Sequence, residues 1–152
     1  MARPADTVVI RNRRARYDYL VQDSFECGIV LAGSEVKSIR AGRANLQDAY
    51  ARVEDGELWL HGMHIAPYEF SRAELDPIRR RKLLVHRKEI DTLARATGEK
   101  GVTLVPLRVY FKDGRAKVEL ALARGKKLYD KRETEKKRSW DRERGRLLRQ
   151  KG

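Results

Sequence analysis

Residues 107–122 alternate in a two-residue rhythm about a central Asp113-Gly114. Before that pair, Leu107, Val109 and Phe111 alternate with Arg108, Tyr110 and Lys112. After it, Ala116, Val118, Leu120 and Leu122 alternate with polar or small residues. Successive side chains of a strand point to opposite faces, so the rhythm predicts a β-hairpin with one apolar face. Asp-Gly suits the two-residue turn that joins such arms. A second Asp55-Gly56 separates Ala51-Arg52-Val53 from Leu58-Trp59-Leu60 and predicts a second hairpin. Residues 19–21 and 25–31 supply earlier strands. Helical signals are confined to two stretches. Ser34 is placed to cap a short helix over residues 35–40, with Gly42 as the left-handed residue that ends it. Ile90, Leu93 and Ala94 have i, i+3, i+4 spacing, and Thr97-Gly98 closes that helix. Short antiparallel strands with a helix inserted midway predict a mainly β fold: a small closed barrel of the OB type with two or three short helices.

The pattern stops near the end of the chain. Residues 124–152 have a net charge of +8 out of +13 for the whole chain, and their large apolar side chains are few: Leu128, Tyr129, Trp140, Leu147 and Leu148. So few cannot offset an ordering entropy of about 1–2 kcal/mol per residue. Two units are therefore expected, a barrel over residues 1–123 and a basic tail over residues 124–152. Tyr129, Trp140 and Leu147 are separated by 11 and 7 residues, close to whole helical turns. Such a tail suits folding against a polyanion, and composition leaves an inert solvated tail equally open.

The charge balance also bears on partners. A net charge of +13 on 152 residues favours nucleic acid or an anionic surface. Insertion into a membrane is excluded as a helix, because no apolar run approaches ~18 residues. The first residues lack the apolar stretch of a signal peptide, and the single Cys27 allows no intrachain disulfide, both consistent with a reducing cytosol. Cys27 reads as a small core residue. Basic residues of the body gather at residues 12–17 and 79–82. A barrel of this kind binds RNA through a basic face with interleaved aromatics, although for any single Arg simple solvation is the plainer reading. His61 and His64 have an odd spacing, which in a strand puts them on opposite faces and disfavours a shared metal. Asp18, Glu26 and Glu35 could form an acidic metal site for nuclease chemistry, which would show as metal-dependent turnover of RNA.

Several blocks together resemble one family. They are Asn12-Arg13-Arg14-Ala15-Arg16-Tyr17-Asp18-Tyr19, Phe25-Glu26-Cys27-Gly28-Ile29-Val30-Leu31 and Gly33-Ser34-Glu35-Val36-Lys37-Ser38-Ile39-Arg40-Ala41-Gly42. Arg81-Lys82-Leu83-Leu84-Val85-His86, the stretch 101–110, and Gly125-Lys126-Lys127 followed by Asp130-Lys131-Arg132 complete the set. In this order the blocks resemble the SmpB, or small protein B, family from about Val8 to the end of the chain.

The resemblance implies an OB-like barrel with no catalytic activity, no metal and no cofactor. It implies a cytoplasmic adaptor, expected to be a monomer, that binds the tRNA-like domain of transfer-messenger RNA (tmRNA, or SsrA RNA). The implied partners are tmRNA, elongation factor Tu, and the decoding centre and mRNA channel of a stalled 70S ribosome. The tail, disordered when free, would become helical in the vacant channel. Carried over onto matching positions, RNA contact falls to Arg13, Arg16, Glu26, Lys82, Leu84, His86, Lys126 and Lys127. A carboxylate such as Glu26 can accept from base or 2′-hydroxyl donors, or orient a neighbouring Arg; alternatively it is a structural partner for Arg13 or Arg16. His86 stands where some members carry Asn, so only the position is carried over, and a surface histidine near a helix start remains the plain alternative. Ribosome contact falls to Tyr129, Asp130, Lys131, Arg132, Trp140, Leu147 and Leu148. Gly145 departs from a helical tail, since Gly costs ~1 kcal/mol relative to Ala. The rival reading is a ribosome-assembly or ribosome-associated basic protein, which would be a stoichiometric ribosome component.

Overall fold

The computed structural model describes residues 7–69 and 75–125. In chain order the elements are β1 (Thr7–Arg11), α1 (Ala15–Asp18), β2 (Tyr19–Ile29), α2 (Gly33–Arg40), β3 (Ala44–Asn45), β4 (Tyr50–Glu54) and β5 (Glu57–His61). Then follow β6 (His64–Ile65), β7 (Arg81–Leu84), α3 (Arg87–Thr97), β8 (Val102–Lys112) and β9 (Arg115–Gly125). Strands β8, β4, β5, β7, β2 and β9 pair in that order, and β9 returns to β8 to close a ring. Strand β1 adds antiparallel to the far half of β8, and β3 and β6 form a separate ribbon. All pairings in the ring are antiparallel. The expected OB-like closed barrel is the observed fold, and closure leaves few strand edges open to other chains.

Both predicted hairpins form. Glu54 faces Glu57 across Asp55-Gly56, and Lys112 faces Arg115 across Asp113-Gly114. All four turn residues have φ between 51° and 76°, the mirror-image turn that matches the twist of the flanking strands.

The core follows the predicted inward series, with Val109, Phe111, Val118 and Leu120 packed among Leu58, Leu60, Leu83 and Leu104. Cys27 belongs to the same core at 1% exposure, and burial pushes its thiol up to about 12. Two irregularities escape the sequence pattern. Residues 19–31 were expected as two strands, yet β2 is one strand whose register slips between Val21 and Asp23. Strand β8 slips between Pro106 and Arg108, so Leu107 leaves the inward series. It packs instead with Ala15, Val105, Ala121 and Ala123, a second cluster that α1 joins through Ala15.

Helix α2 starts earlier than expected. Its N-cap is Ala32, in extended conformation, and Ser34 lies inside the first turn. Glu35 takes over the capping role, because its Oε1 accepts the Ala32 N–H at 2.9 Å. At the other end the Gly42 N–H reaches the Ile39 carbonyl and the Arg43 N–H reaches Ser38, the bond pair of a Schellman stop. Helix α3 ends at Thr97 as predicted; Leu93 is buried and Ile90 half-buried, but Ala94 is exposed.

Candidate nucleic-acid interface

Residues paired across antiparallel strands share a face of the sheet. The register therefore builds one outward surface from separate parts of the sequence. Arg52 faces Trp59, and Trp59 faces Lys82. Leu84, two residues on, faces Gly28. Gly28 in turn faces Lys117, and Glu26 faces Glu119. Finally Glu119 faces Arg108, and Lys117 faces Tyr110. Glu26, Lys82 and Leu84 lie on this one surface.

Glu26 is exposed, and its Oε2 accepts a hydrogen bond from the Tyr110 hydroxyl at 2.5 Å. The Lys112 Nζ lies 3.6 Å from the same oxygen. The Tyr110 hydrogen bond is the main reason the carboxyl is held below its usual range; partial burial opposes it, while the charges of Lys112 and Lys117 assist. Glu26 is thus an ionised acceptor. Its partners are Tyr110 and Lys112, not the Arg13 or Arg16 that the sequence offered.

Those two arginines stand elsewhere on the same side. Arg13 precedes α1, Arg16 belongs to it, and both are exposed. With Arg11, Asn12, Leu107, Arg108 and Glu119 they line a cleft of about 500 Å³. Asn12 fixes the turn before α1 by donating to the carbonyls of Leu46 and Pro106 at 3.2 and 2.9 Å. Arg108 links cleft and acceptor: its guanidinium is 3.3 Å from Glu119 and 4.5 Å from the centre of the Tyr110 ring.

Leu84 is 53% exposed and lies across Gly28, where an added Cβ would come within 3.2 Å of the Leu84 Cβ. His86 is the N-cap residue of α3; its carbonyl accepts the N–H groups of Glu89 and Ile90, and its imidazole makes no capping bond. Lys82 pairs with Glu57 at 3.0 Å. The result is an apolar step at Leu84, a fixed acceptor at Glu26 and an arginine cleft, joined on one wall of the barrel.

The family described as SmpB protein matches residues 9–150. The SsrA-binding protein of Desulforudis audaxviator is 57% identical over 150 residues, covering 98% of each chain. That of Mesorhizobium japonicum is 52% identical over 153 residues, covering 99% of this chain and 96% of its own. The chain belongs to the SmpB protein family. A solved structure described as tmRNA-SmpB at the center of the bacterial ribosome has a chain that superposes with a TM-score of 0.67 at 52% identity. That superposition covers 78% of this chain and 85% of the other.

The SmpB tail positions are a separate matter. Lys126, Lys127, Tyr129, Asp130, Lys131, Arg132, Trp140, Leu147 and Leu148 lie outside the described residues. Strand β9 delivers the chain to Gly125, which pairs with Tyr19 at the end of α1. Arg124 is anchored to Glu99 at 2.6 Å.

Of the basic run at 79–82 Arg81 is buried, while Arg79, Arg80 and Lys82 stay at least partly exposed and are each paired with a carboxylate. Arg81 is 1% exposed and, with Arg79, is bound to Glu35. Arg80 pairs with Glu54 at 2.8 Å and lies 3.9 Å from the centre of the Trp59 ring. The carboxylates considered for a metal site are dispersed among different cations: Asp18 with Arg14, Glu26 with Lys112, and Glu35 with Arg79 and Arg81. His61 stacks on Tyr50 with its Nε2 2.7 Å from Glu54, whereas His64 lies on β6.

Sequence reasoning missed Arg108, Tyr110 and Lys117 as members of the surface. They appear in the alternating arms as the polar partners of core residues. Only the register between β2, β8 and β9 brings them to Glu26.

Proposed function

We propose that this chain is a non-enzymatic adaptor of trans-translation that binds SsrA RNA (tmRNA) through the barrel. SsrA-binding proteins match it along nearly its whole length, and that observation carries the reading. The shape of the barrel wall supports it. The ionised Glu26 meets amino or 2′-hydroxyl donors, the exposed Leu84 packs against a base or ribose, and the cleft of Arg13, Arg16 and Arg108 meets phosphates. Lys82 and His86 flank that contact, and Lys126 and Lys127 extend it. Phosphate contacts supply affinity and salt dependence; the acceptor and the apolar step supply the preference.

In this reading the factor acts as a monomer in the cytoplasm. It carries tmRNA, with elongation factor Tu, into the empty A site of a stalled ribosome. The basic tail, through Tyr129, Asp130, Lys131, Arg132, Trp140, Leu147 and Leu148, then occupies the vacant mRNA channel. Resident mRNA would fill the same volume, so vacancy is sensed by exclusion and no bond is made or broken.

The test is a titration of the full chain with SsrA RNA and with a length-matched unrelated RNA across a salt series, because affinity at one salt is uninterpretable. Preference for SsrA RNA that persists as salt rises is the expected result. Equal binding to both at every salt would leave a general ribosome-associated basic protein as the better account.

A further inference from the structure

Tyr110 is 2% exposed although it lies on the outward side of β8, opposite Lys117. Arg108 covers its ring at 4.5 Å, and Glu119 holds Arg108 at 3.3 Å. The hydroxyl emerges at Glu26 Oε2, 2.5 Å away, with Lys112 Nζ 3.6 Å from that same oxygen. Among the described residues no hydrogen bond or ion pair reaches Oε1. A glutamate on an exposed strand would otherwise sample several rotamers. Here one oxygen is fixed by a rigid buried phenol and the other is left to accept. An ionised carboxylate can only accept, so Oε1 selects an exocyclic amino group or a ribose hydroxyl and repels a phosphate.

We propose that Tyr110 is a positioning residue for RNA recognition: its hydroxyl holds Glu26 with Oε1 turned outward as a ready acceptor, and Arg108, anchored by Glu119, holds the Tyr110 ring. This rests on the RNA-binding reading of the barrel wall. Tyr110 acts through Glu26 and touches no RNA itself. Pre-orienting the acceptor removes an ordering cost from the bound state.

The experiment uses the full chain as wild type, Tyr110→Phe, Glu26→Gln and the double variant, titrated with SsrA RNA and a length-matched unrelated RNA. Phe keeps the ring beneath Arg108, and thermal unfolding checks that each variant is folded. Tyr110→Phe is expected to weaken SsrA RNA binding about ten-fold, or about 1.4 kcal/mol, while unrelated RNA is bound as before. The double variant should bind no more weakly than Glu26→Gln alone, because both changes disable one acceptor.

A pH series supplies a second readout. Tyr110, Lys112 and Arg108 face Glu26 from β8, Lys117 and Glu119 from β9, and β7 presents Leu84 beside Gly28. The Tyr110 hydrogen bond lowers the Glu26 carboxyl, so wild-type affinity is lost only as pH falls through that depressed value. In Tyr110→Phe the loss should begin at higher pH. The proposal is overturned by wild-type affinity in Tyr110→Phe, by additive losses in the double variant, or by equal losses on both RNAs. It is overturned too if Glu26→Gln binds SsrA RNA like wild type. A wild-type chain with no preference for SsrA RNA would instead overturn the functional reading, and the positioning role with it.

Discussion

Arg81 shows how far one residue can depart from the composition around it. It sits in a run of four basic residues, which favours solvent, yet strand alternation puts it on the same side as Leu83, the barrel interior. Each nitrogen of its guanidinium finds a partner there. Nε donates to Glu35 Oε2 at 2.7 Å, and the terminal nitrogens donate to the carbonyls of Met63 and Pro77 at 2.7 and 3.1 Å. The sequence hid this because the balancing carboxylate lies 46 positions away. Removing that carboxylate strands a buried charge, so Glu35→Gln should lose about 3–5 kcal/mol of stability in urea unfolding. The acid dependence has a definite sign. Burial pushes the Glu35 carboxyl up, but hydrogen bonds from Arg79, the Ala32 N–H and Arg81 outweigh it and hold the group below its ordinary value of 4.5. A carboxylate depressed in the folded state contributes stability above its unfolded pKa and loses it as pH falls toward the folded one. Wild-type urea midpoints should therefore fall below the ordinary carboxylate range, and Glu35→Gln should lack that component. A Glu35→Gln midpoint equal to wild type at neutral pH would show that the pair contributes no net stability.

The elements were readable where local chemistry alone decides them. Two Asp-Gly turns and the alternation on either side of residue 113 specify their hairpins without help from the rest of the chain. Gln22, Asp23 and Ser24 looked like a break between strands only because they are polar; they are the exposed residues of a continuous strand around a register slip. The slip at Leu107 is likewise hidden, since the cluster that Leu107 joins includes Ala15, far off in sequence. Glycines divide in the same way. Gly114 (φ +76°) serves its own turn, and a Cβ added there meets nothing within 4 Å. Gly62 (φ +75°) joins β5 to β6, and its Cβ would lie 2.5 Å from the Asp48 carbonyl oxygen. Alanine at either site carries a left-handed cost of about 1–2 kcal/mol. At Gly62 the backbone of Asp48 must also move, which adds about 1–3 kcal/mol. Thermal unfolding should rank Gly62→Ala well below Gly114→Ala. Equal melting temperatures would mean that Asp48 yields freely and that the close approach is not a constraint.

At the scale of the whole molecule, ring closure depends on pairings such as Gly28 with Leu84 and Tyr19 with Gly125, which no window of sequence contains. Alternation suggested a barrel; register decides which side chains share its wall, and so whether Glu26 has neighbours suited to RNA. Charge is the property that spans barrel and tail together, and its division is testable. Residues 124–152 carry +8 of the net +13, yet in the proposed function most of that charge is reserved for the ribosome. Only Lys126 and Lys127, which follow the last residue of β9, are assigned to tmRNA. Each phosphate neutralised contributes about 0.7–0.9 to the slope of log K against log salt. Replacing both lysines with alanine in the full chain should therefore lower that slope by about 1.4–1.8 on SsrA RNA. Preference over unrelated RNA should be unchanged, because phosphate contacts position and do not specify. An unaltered slope would place the two lysines off the RNA. Truncation after Gly125 then isolates the remainder of the tail: a slope lower than the double-lysine variant's by several further units would put the whole tail on tmRNA, leaving little of it free to enter the mRNA channel.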